Sequence, residues 1–175
     1  MLTKAAQRLA VLLLLGAIAL LGVMGERWQP AVDSVLNPRV AVQLYFADSD
    51  ALYLVPEVRW MPARDVDPVS VLVELGRGPA SPELAPTIPR GARPRSVTVR
   101  GGVAWVDYTA ELRERHSGGS TGEILTVYSI VSTLVQFPEI EAVQILLEGQ
   151  PVETLVGHLD LSRPLTPDSR FLKEP

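Results

Sequence analysis

Between Gly118 and Pro138 apolar residues recur at helical spacing. Ile124, Val127, Tyr128, Val131, Leu134 and Val135 fall on one face, and Leu125, Ile130 and Phe137 widen it. The pattern predicts a central helix that stops at Pro138, because the residue before a proline is pushed out of the α region. Ser120 and Glu123 stand in S-x-x-E spacing and predict a structural cap. In that capping box the Ser120 side chain accepts from the Glu123 N–H, and the Glu123 carboxylate from the Ser120 N–H. Valine, isoleucine and threonine are frequent in the stretch, so its intrinsic helix propensity is weak and a sheet is expected to hold it by packing.

The flanking patterns supply that sheet. Residues 39–47 read as a largely apolar, internal strand, and 51–61 as a second extended segment in which Pro56 marks an edge or a bulge. Asp67 as N-cap and Pro68 at the first helical position open a helix. Its expected apolar face is Val69, Leu72, Val73 and Leu75, and Gly76 to Gly78 end it. The proline-rich stretch 79–94 is irregular. Residues 95–100 and 103–108 alternate on either side of Gly101-Gly102 and read as a hairpin. One helical turn at 109–115 precedes the central helix. Residues 142–148 form a strand, 151–155 a short return strand, 156–165 a loop and 166–175 a flexible tail. The order predicts an α/β (α+β) fold, a two-layer sandwich whose single mixed β-sheet carries two main helices on one face.

Ahead of this domain, which spans 39–165, stand a basic cytosolic N-terminus (1–8, with Lys4 and Arg8), an apolar segment (9–25) and a linker (26–38) marked by Pro30 and Pro38. The apolar segment runs 17 residues without a charge, at the lower edge of a membrane span, and is apolar all round. It reads as an N-terminal transmembrane helix, with the preceding positive charges in the cytosol and the domain outside. Val23-Met24-Gly25 also offers a cleavage site that would release the domain, but the uncleaved anchor is the preferred reading. Leu20-Leu21-Gly22-Val23 resembles a bacterial lipobox with Val23 where the lipidated cysteine would stand.

Composition narrows the chemistry. Once the membrane segment is set aside, a chain of 175 residues leaves one domain of ordinary size. There is no cysteine, which removes disulfides, thiolate metal sites and a cysteine nucleophile. The net charge of -4 argues against nucleic-acid binding. His116 and His158 are the only histidines, fall in loops and lack the carboxylate spacing of a metal site. No cofactor is expected. Asp107 and Asp160 read as turn or cap residues, and Trp105, Tyr45, Phe46 and Tyr53 as sheet packing.

Two constellations carry a sharper alternative. Gly118-Gly119-Ser120-Thr121-Gly122 matches the G-x-S-x-G nucleophile elbow of α/β-hydrolases, with His158 downstream. That motif needs a strand directly before the serine, and 111–116 are charged and loop-like. The same glycines at a helix start fit an anion cradle. Arg90, Arg93, Arg95 and Arg100 form a basic group suited to anionic lipid, wall polymer or an acidic partner, or to a solvated strand edge.

Several spaced motifs together resemble a known family: Tyr45-Phe46 followed by Tyr53-Leu54-Val55-Pro56-Glu57; Gly78-Pro79, then Ile88-Pro89-x-Gly91; and Gly102-Val103-Ala104-x-Val106-Asp107. The longest runs from Gly119-Ser120-x-Gly122-Glu123 through Tyr128-Ser129-Ile130-Val131-x-Thr133-Leu134 to Phe137-Pro138. Val143-Gln144-Ile145-Leu146, Gly149 and Glu153-Thr154-Leu155-x-Gly157-His158-x-Asp160 close the series. In order and spacing they resemble the GerMN domain of sporulation and germination proteins, over about residues 40–165. The resemblance implies a fold similar to ring-building motifs and a non-catalytic extracytoplasmic domain that contacts other proteins. It differs from some members in carrying one copy of the domain, and it lacks the lipobox cysteine.

The expectation is therefore a membrane-anchored interaction domain in a sporulation or germination assembly. Its expected partners are other envelope proteins, or further copies joined through the sheet edges near 51–61 and 151–155. The alternatives are an envelope module that binds an anionic polymer or a glycan, and a hydrolase using Ser120.

Overall fold

The computed structural model describes residues 37–173. The basic N-terminus, the segment 9–25 and nearly all of the linker lie outside the described residues. Among those described, no helix is long and apolar enough to cross a membrane. Val40–Met61 and the chain from Asp65 onward form one compact unit. Pro62–Arg64 belong to a second unit with residues 37–39; there the Ala63 N–H donates to the Pro38 carbonyl at 2.7 Å and Arg64 Nη1 to Asn37 Oδ1 at 2.6 Å.

Alternation builds the first strand. Val42, Leu44 and Phe46 are buried on β1 (Arg39–Asp48), while Ala41 and Gln43 face out. β1 lies between β2 (Leu54–Pro62) and the two-residue β3 (Leu84–Ala85). β2 is thus an edge strand, where a proline such as Pro56 is tolerated. Asp48 fixes the turn between them. Its Oδ1 accepts from the Leu52 N–H (2.9 Å) and the Tyr53 N–H (3.2 Å), and burial, which alone would raise its carboxyl, is outweighed by these bonds and by Lys173, so its pKa lies below the usual carboxylate value.

A second sheet holds β4 (Pro94–Arg100), β5 (Val103–Tyr108), β6 (Ala142–Leu147) and β7 (Gln150–Pro151), in that order. β4 and β5 are antiparallel about Gly101 and Gly102, whose φ of 56° and 79° a side chain would resist. β5 and β6 are parallel, so the chain must cross over between them. The crossover carries α2 (Glu111–Glu114) and α3 (Ser120–Leu134). The expected single sheet is corrected to two, within a mixed α+β fold. β1 meets β3 only at Ala47 and Asp48. Beyond that, side chains of the α3 end occupy its edge: Gln136 accepts from the Gln43 N–H and donates to the Gln43 carbonyl, both at 2.9 Å, and Thr133 Oγ1 accepts from the Tyr45 N–H at 3.2 Å. A primary amide that both accepts and donates takes the place of a neighbouring strand.

Helix α1 (Pro68–Gly76) begins as read, with Asp67 Oδ1 accepting from the Val69 and Ser70 N–H groups at 2.9 and 3.0 Å. Its buried residues are Val71, Leu72 and Leu75, whereas Val73, expected in the core, is 42% exposed. Helix α3 stops at Leu134, four residues short of Pro138, and the chain leaves it through a turn in which the Phe137 N–H donates to the Leu134 carbonyl. Its burial is not a stripe. Every residue from Leu125 to Leu134 is buried. Helix α1 and β6 pack against it, Thr126 Oγ1 donates to the Thr87 carbonyl at 2.7 Å, and the Tyr128 and Phe171 rings lie 4.5 Å apart.

Two C-terminal readings are also corrected. The return strand is only Gln150–Pro151. The tail expected to fray is docked over its described residues. Leu172 forms a bridge with Leu54, the Lys173 N–H donates to the Leu54 carbonyl at 2.9 Å, and Lys173 Nζ lies 3.3 Å from Asp48 Oδ2. Phe171 supplies the apolar anchor against Tyr128.

Tyr108 is fully buried at the end of β5, and its hydroxyl has no hydrogen-bond partner. Burial pushes its phenol pKa well up. Tyr108→Phe is expected to leave stability unchanged or raise it by about 1 kcal/mol, since an unpaired buried hydroxyl only costs free energy. Urea unfolding followed by circular dichroism measures this, and a clear loss of stability would contradict it.

Candidate functional site

The Ser120–Glu123 cap does not form. The N-cap is Gly119, at φ 84° and ψ 146°, and no side chain caps the helix. Ser120 is already inside the helix and exposed, so its hydroxyl cannot take the N-cap position. The first bond runs from the Glu123 N–H to the Gly119 carbonyl at 3.1 Å.

Glu123 instead turns inward, is 0% exposed, and holds the loop after β7. Its Oε1 accepts from Thr154 Oγ1 (2.6 Å), the Leu155 N–H (2.8 Å) and the Val156 N–H (3.1 Å); Oε2 accepts from the His158 N–H (2.8 Å). Burial alone would raise this carboxyl, but the hydrogen bonds overcome it and its pKa lies below the usual value. Arg113 takes the loop's carbonyls, with Nε on Leu155 O at 3.1 Å and Nη2 on Thr154 O at 2.7 Å. One anion and one cation thus fix residues 154–158 from both polarities. Sequence spacing gave no sign of this, because the partners are 31 to 35 residues away.

The structure does not bring the four arginines together. Arg95 sits in a bulge between Pro94 and Ser96 and is engaged by Asp107 Oδ2 (3.2 Å) and Glu148 Oε2 (2.8 Å). Arg100 stands at the other end of β4, roughly 17 Å away at the ~3.3 Å rise of a strand. Arg93 is exposed, and its backbone pairs with Thr109. Arg90 alone lines a cleft, of about 300 Å³, whose wall also includes Arg115, His116, Ser117 and the Gly122 turn of α3. His116 is held by two contacts: Nδ1 accepts from the Gly118 N–H at 2.9 Å, and Nε2 lies 3.1 Å from Thr126 Oγ1. Thr126 already donates its proton to Thr87 O, so the network assigns the Nε2–H tautomer.

The nucleophile-elbow geometry is missing. The residues before Ser120 form α2 and a loop, not a strand. Among the described residues no cluster of His, Asp and Glu could hold a metal ion.

The outer face of β2 is apolar and exposed. Val58 and Trp60 are 55% and 58% exposed, and Leu52 and Tyr53 in the preceding turn are also exposed. The alternate residues face inward. Arg59 pairs with Glu57 and, at 2.9 Å, with Glu74, and the Glu57 carboxylate accepts from the Ala80 and Ser81 N–H groups at 2.9 and 3.0 Å. That network ties the strand to the end of α1 and fixes which face points outward.

The family model described as Germane, sporulation and spore germination, matches residues 43–153. No curated protein matches the chain. Solved structures give the same fold. The first GerMN domain of the Bacillus subtilis sporulation protein GerM has a TM-score of 0.58 at 22% identity, covering 76% of this chain and 96% of that one. The tandem GerMN domains of GerM give 0.61 at 21%, covering 73% of this chain and 46% of that one. A lipoprotein of Clostridium perfringens gives 0.54 at 23%, covering 73% and 87%. The matched stretch runs from within β1 through the second sheet to the loop that Glu123 holds, and on that ground the chain belongs to the Germane (GerMN) family of sporulation and spore germination.

Proposed function

We propose that this chain is a non-catalytic, extracytoplasmic interaction domain, anchored through residues 9–25, in a sporulation or spore germination assembly. The family match over residues 43–153 carries the reading. The outer face of β2 supports a contact surface there: an edge strand presenting Val58 and Trp60 offers apolar area and an aromatic anchor of the kind that dominates protein interfaces. The inward Glu57–Arg59–Glu74 network keeps that face rigid, which lowers the ordering cost of association.

Cross-linking and pull-down from native membranes, comparing sporulating with vegetative cells, tests this. Wild type is expected to capture envelope proteins made during sporulation. Val58→Asp with Trp60→Asp is expected to lower that capture at least ~30-fold, the equivalent of ~2 kcal/mol at an interface anchor, with an unchanged circular dichroism spectrum. Equal capture by wild type and variant would refute the surface. Equal partners and abundance in both cell types would refute the sporulation role.

A further inference from the structure

Most arginines of this domain are already engaged. Arg59, Arg77, Arg95, Arg163 and Arg170 pair with carboxylates, and Arg113 is held by two carbonyls. Arg90 and Arg115 are different. Both are exposed, neither has a carboxylate within ion-pair distance among the described residues, and both line the same cleft. Glu111, one turn back, feels the Arg115 charge only through space.

Arg115 is also placed. Its Nη1 lies 3.5 Å from the Arg90 carbonyl, and its guanidinium crosses Gly91, where a Cβ would stand 3.0 Å from Nη1. Gly91, at φ +93°, leaves the room the guanidinium occupies. Among the described residues no acidic side chain lines the cleft, in a protein whose net charge is -4. The lining also carries an aliphatic part, with Ala47, Ala85, Ile88 and Leu125. Thr87 lines the cleft too, 7% exposed, with a hydroxyl that has no hydrogen-bond partner. The first turn of α3 reaches the cleft at Gly122 and adds the positive end of a 15-residue helix.

We propose that this cleft is a binding site for a carboxylate carried on a small apolar body, as at the free C-terminus of a peptide with small side chains. Guanidinium forks match the two oxygens of a carboxylate, and the aliphatic wall takes what the carboxylate is attached to. A bare inorganic anion would leave that wall without a partner. The site lies on different residues from the β2 face, so it stands whether or not that face is an interface.

Titration calorimetry of the full chain in detergent micelles tests it, with N-acetyl-trialanine as free acid, its C-terminal amide, and potassium phosphate as probes. The free acid is expected to bind saturably at one site. The amide is expected to bind at least ~10-fold more weakly, the range of a charge-assisted hydrogen bond. Arg115→Ala and Arg90→Ala should each weaken the free acid by a similar factor. Arg100→Ala, which removes an exposed arginine outside the cleft, should bind like wild type. Circular dichroism identifies any variant that fails to fold, and Arg115→Lys, which keeps the charge and loses the fork, then replaces Arg115→Ala with the same expectation of weaker binding. Equal binding of acid and amide, no saturable binding at millimolar peptide, or an Arg100 variant as weak as the cleft variants would overturn the proposal. So would phosphate that displaces the peptide at equal concentration, since the site would then recognise charge alone.

Discussion

Replacing Glu123 by alanine is expected to destabilise the domain by about 4 kcal/mol, because three backbone N–H groups lose their acceptor together and each unpaired buried donor costs roughly 1 to 3 kcal/mol. The loop they belong to has no strand ladder of its own beyond Gln150–Pro151, and its remaining ties are Arg113, the Thr154 hydroxyl on the Gly157 N–H and the burial of Leu155 in the core. A capping glutamate would predict a much smaller loss, about 1 kcal/mol. Urea unfolding of Glu123→Ala therefore separates the two roles, and a loss near the smaller figure would contradict the buried-anchor reading. The pH dependence has a fixed sign. The carboxyl titrates lower in the folded chain than its ordinary value of 4.5. Its contribution is complete above that value and is lost as pH falls through the lower folded value. The gap in stability between wild type and Glu123→Ala should be widest near neutral pH and shrink as the solution is acidified. A gap that grows with acid would be inconsistent with the bonded carboxylate.

What could be read from the sequence was local. Asp67 and Pro68 start α1 because cap and first-turn proline act within three residues, and the structure has both. Gly101-Gly102 makes its hairpin for the same reason. The strands 39–48 and 142–147 were legible from largely apolar stretches. The larger failures involve distance along the chain. Ser120 and Glu123 have the spacing of a box, yet the carboxylate finds better partners more than 30 residues on, and a glycine at positive φ takes the cap position. One sheet was expected because the strands alternate with helices, and nothing local says that Gln136 will fill the β1 edge, 93 residues from Gln43. The four arginines look like a group in sequence, but β4 is extended and spreads them, while Arg115, from another segment, joins Arg90. The tail is polar in sequence, and its docking rests on Phe171 against Tyr128 and Leu172 against Leu54, partners more than 40 residues back along the chain.

Ile130→Ala is expected to cost about 3 kcal/mol, within the range for removing three buried carbons where the surroundings relax only in part. The larger point is the pattern across α3. A helix lying on one sheet has a solvent side, and truncations there cost little. Here Leu125 to Leu134 are buried without interruption, so Leu125→Ala, Val127→Ala, Tyr128→Ala and Ile130→Ala, which point in different directions around the helix, should all lose more than about 1 kcal/mol. Val73→Ala on α1, at 42% exposure, is the internal control and should change stability by less than about 0.5 kcal/mol. The contrast follows from composition as well. With valine, isoleucine, threonine and serine through its middle, α3 has little helix propensity to fall back on, and its stability is that of its packing on β6, α1 and the end of β1. Urea midpoints for the four core variants and the control decide it: a set in which one face of α3 tolerates alanine would show that the helix has a solvent side after all.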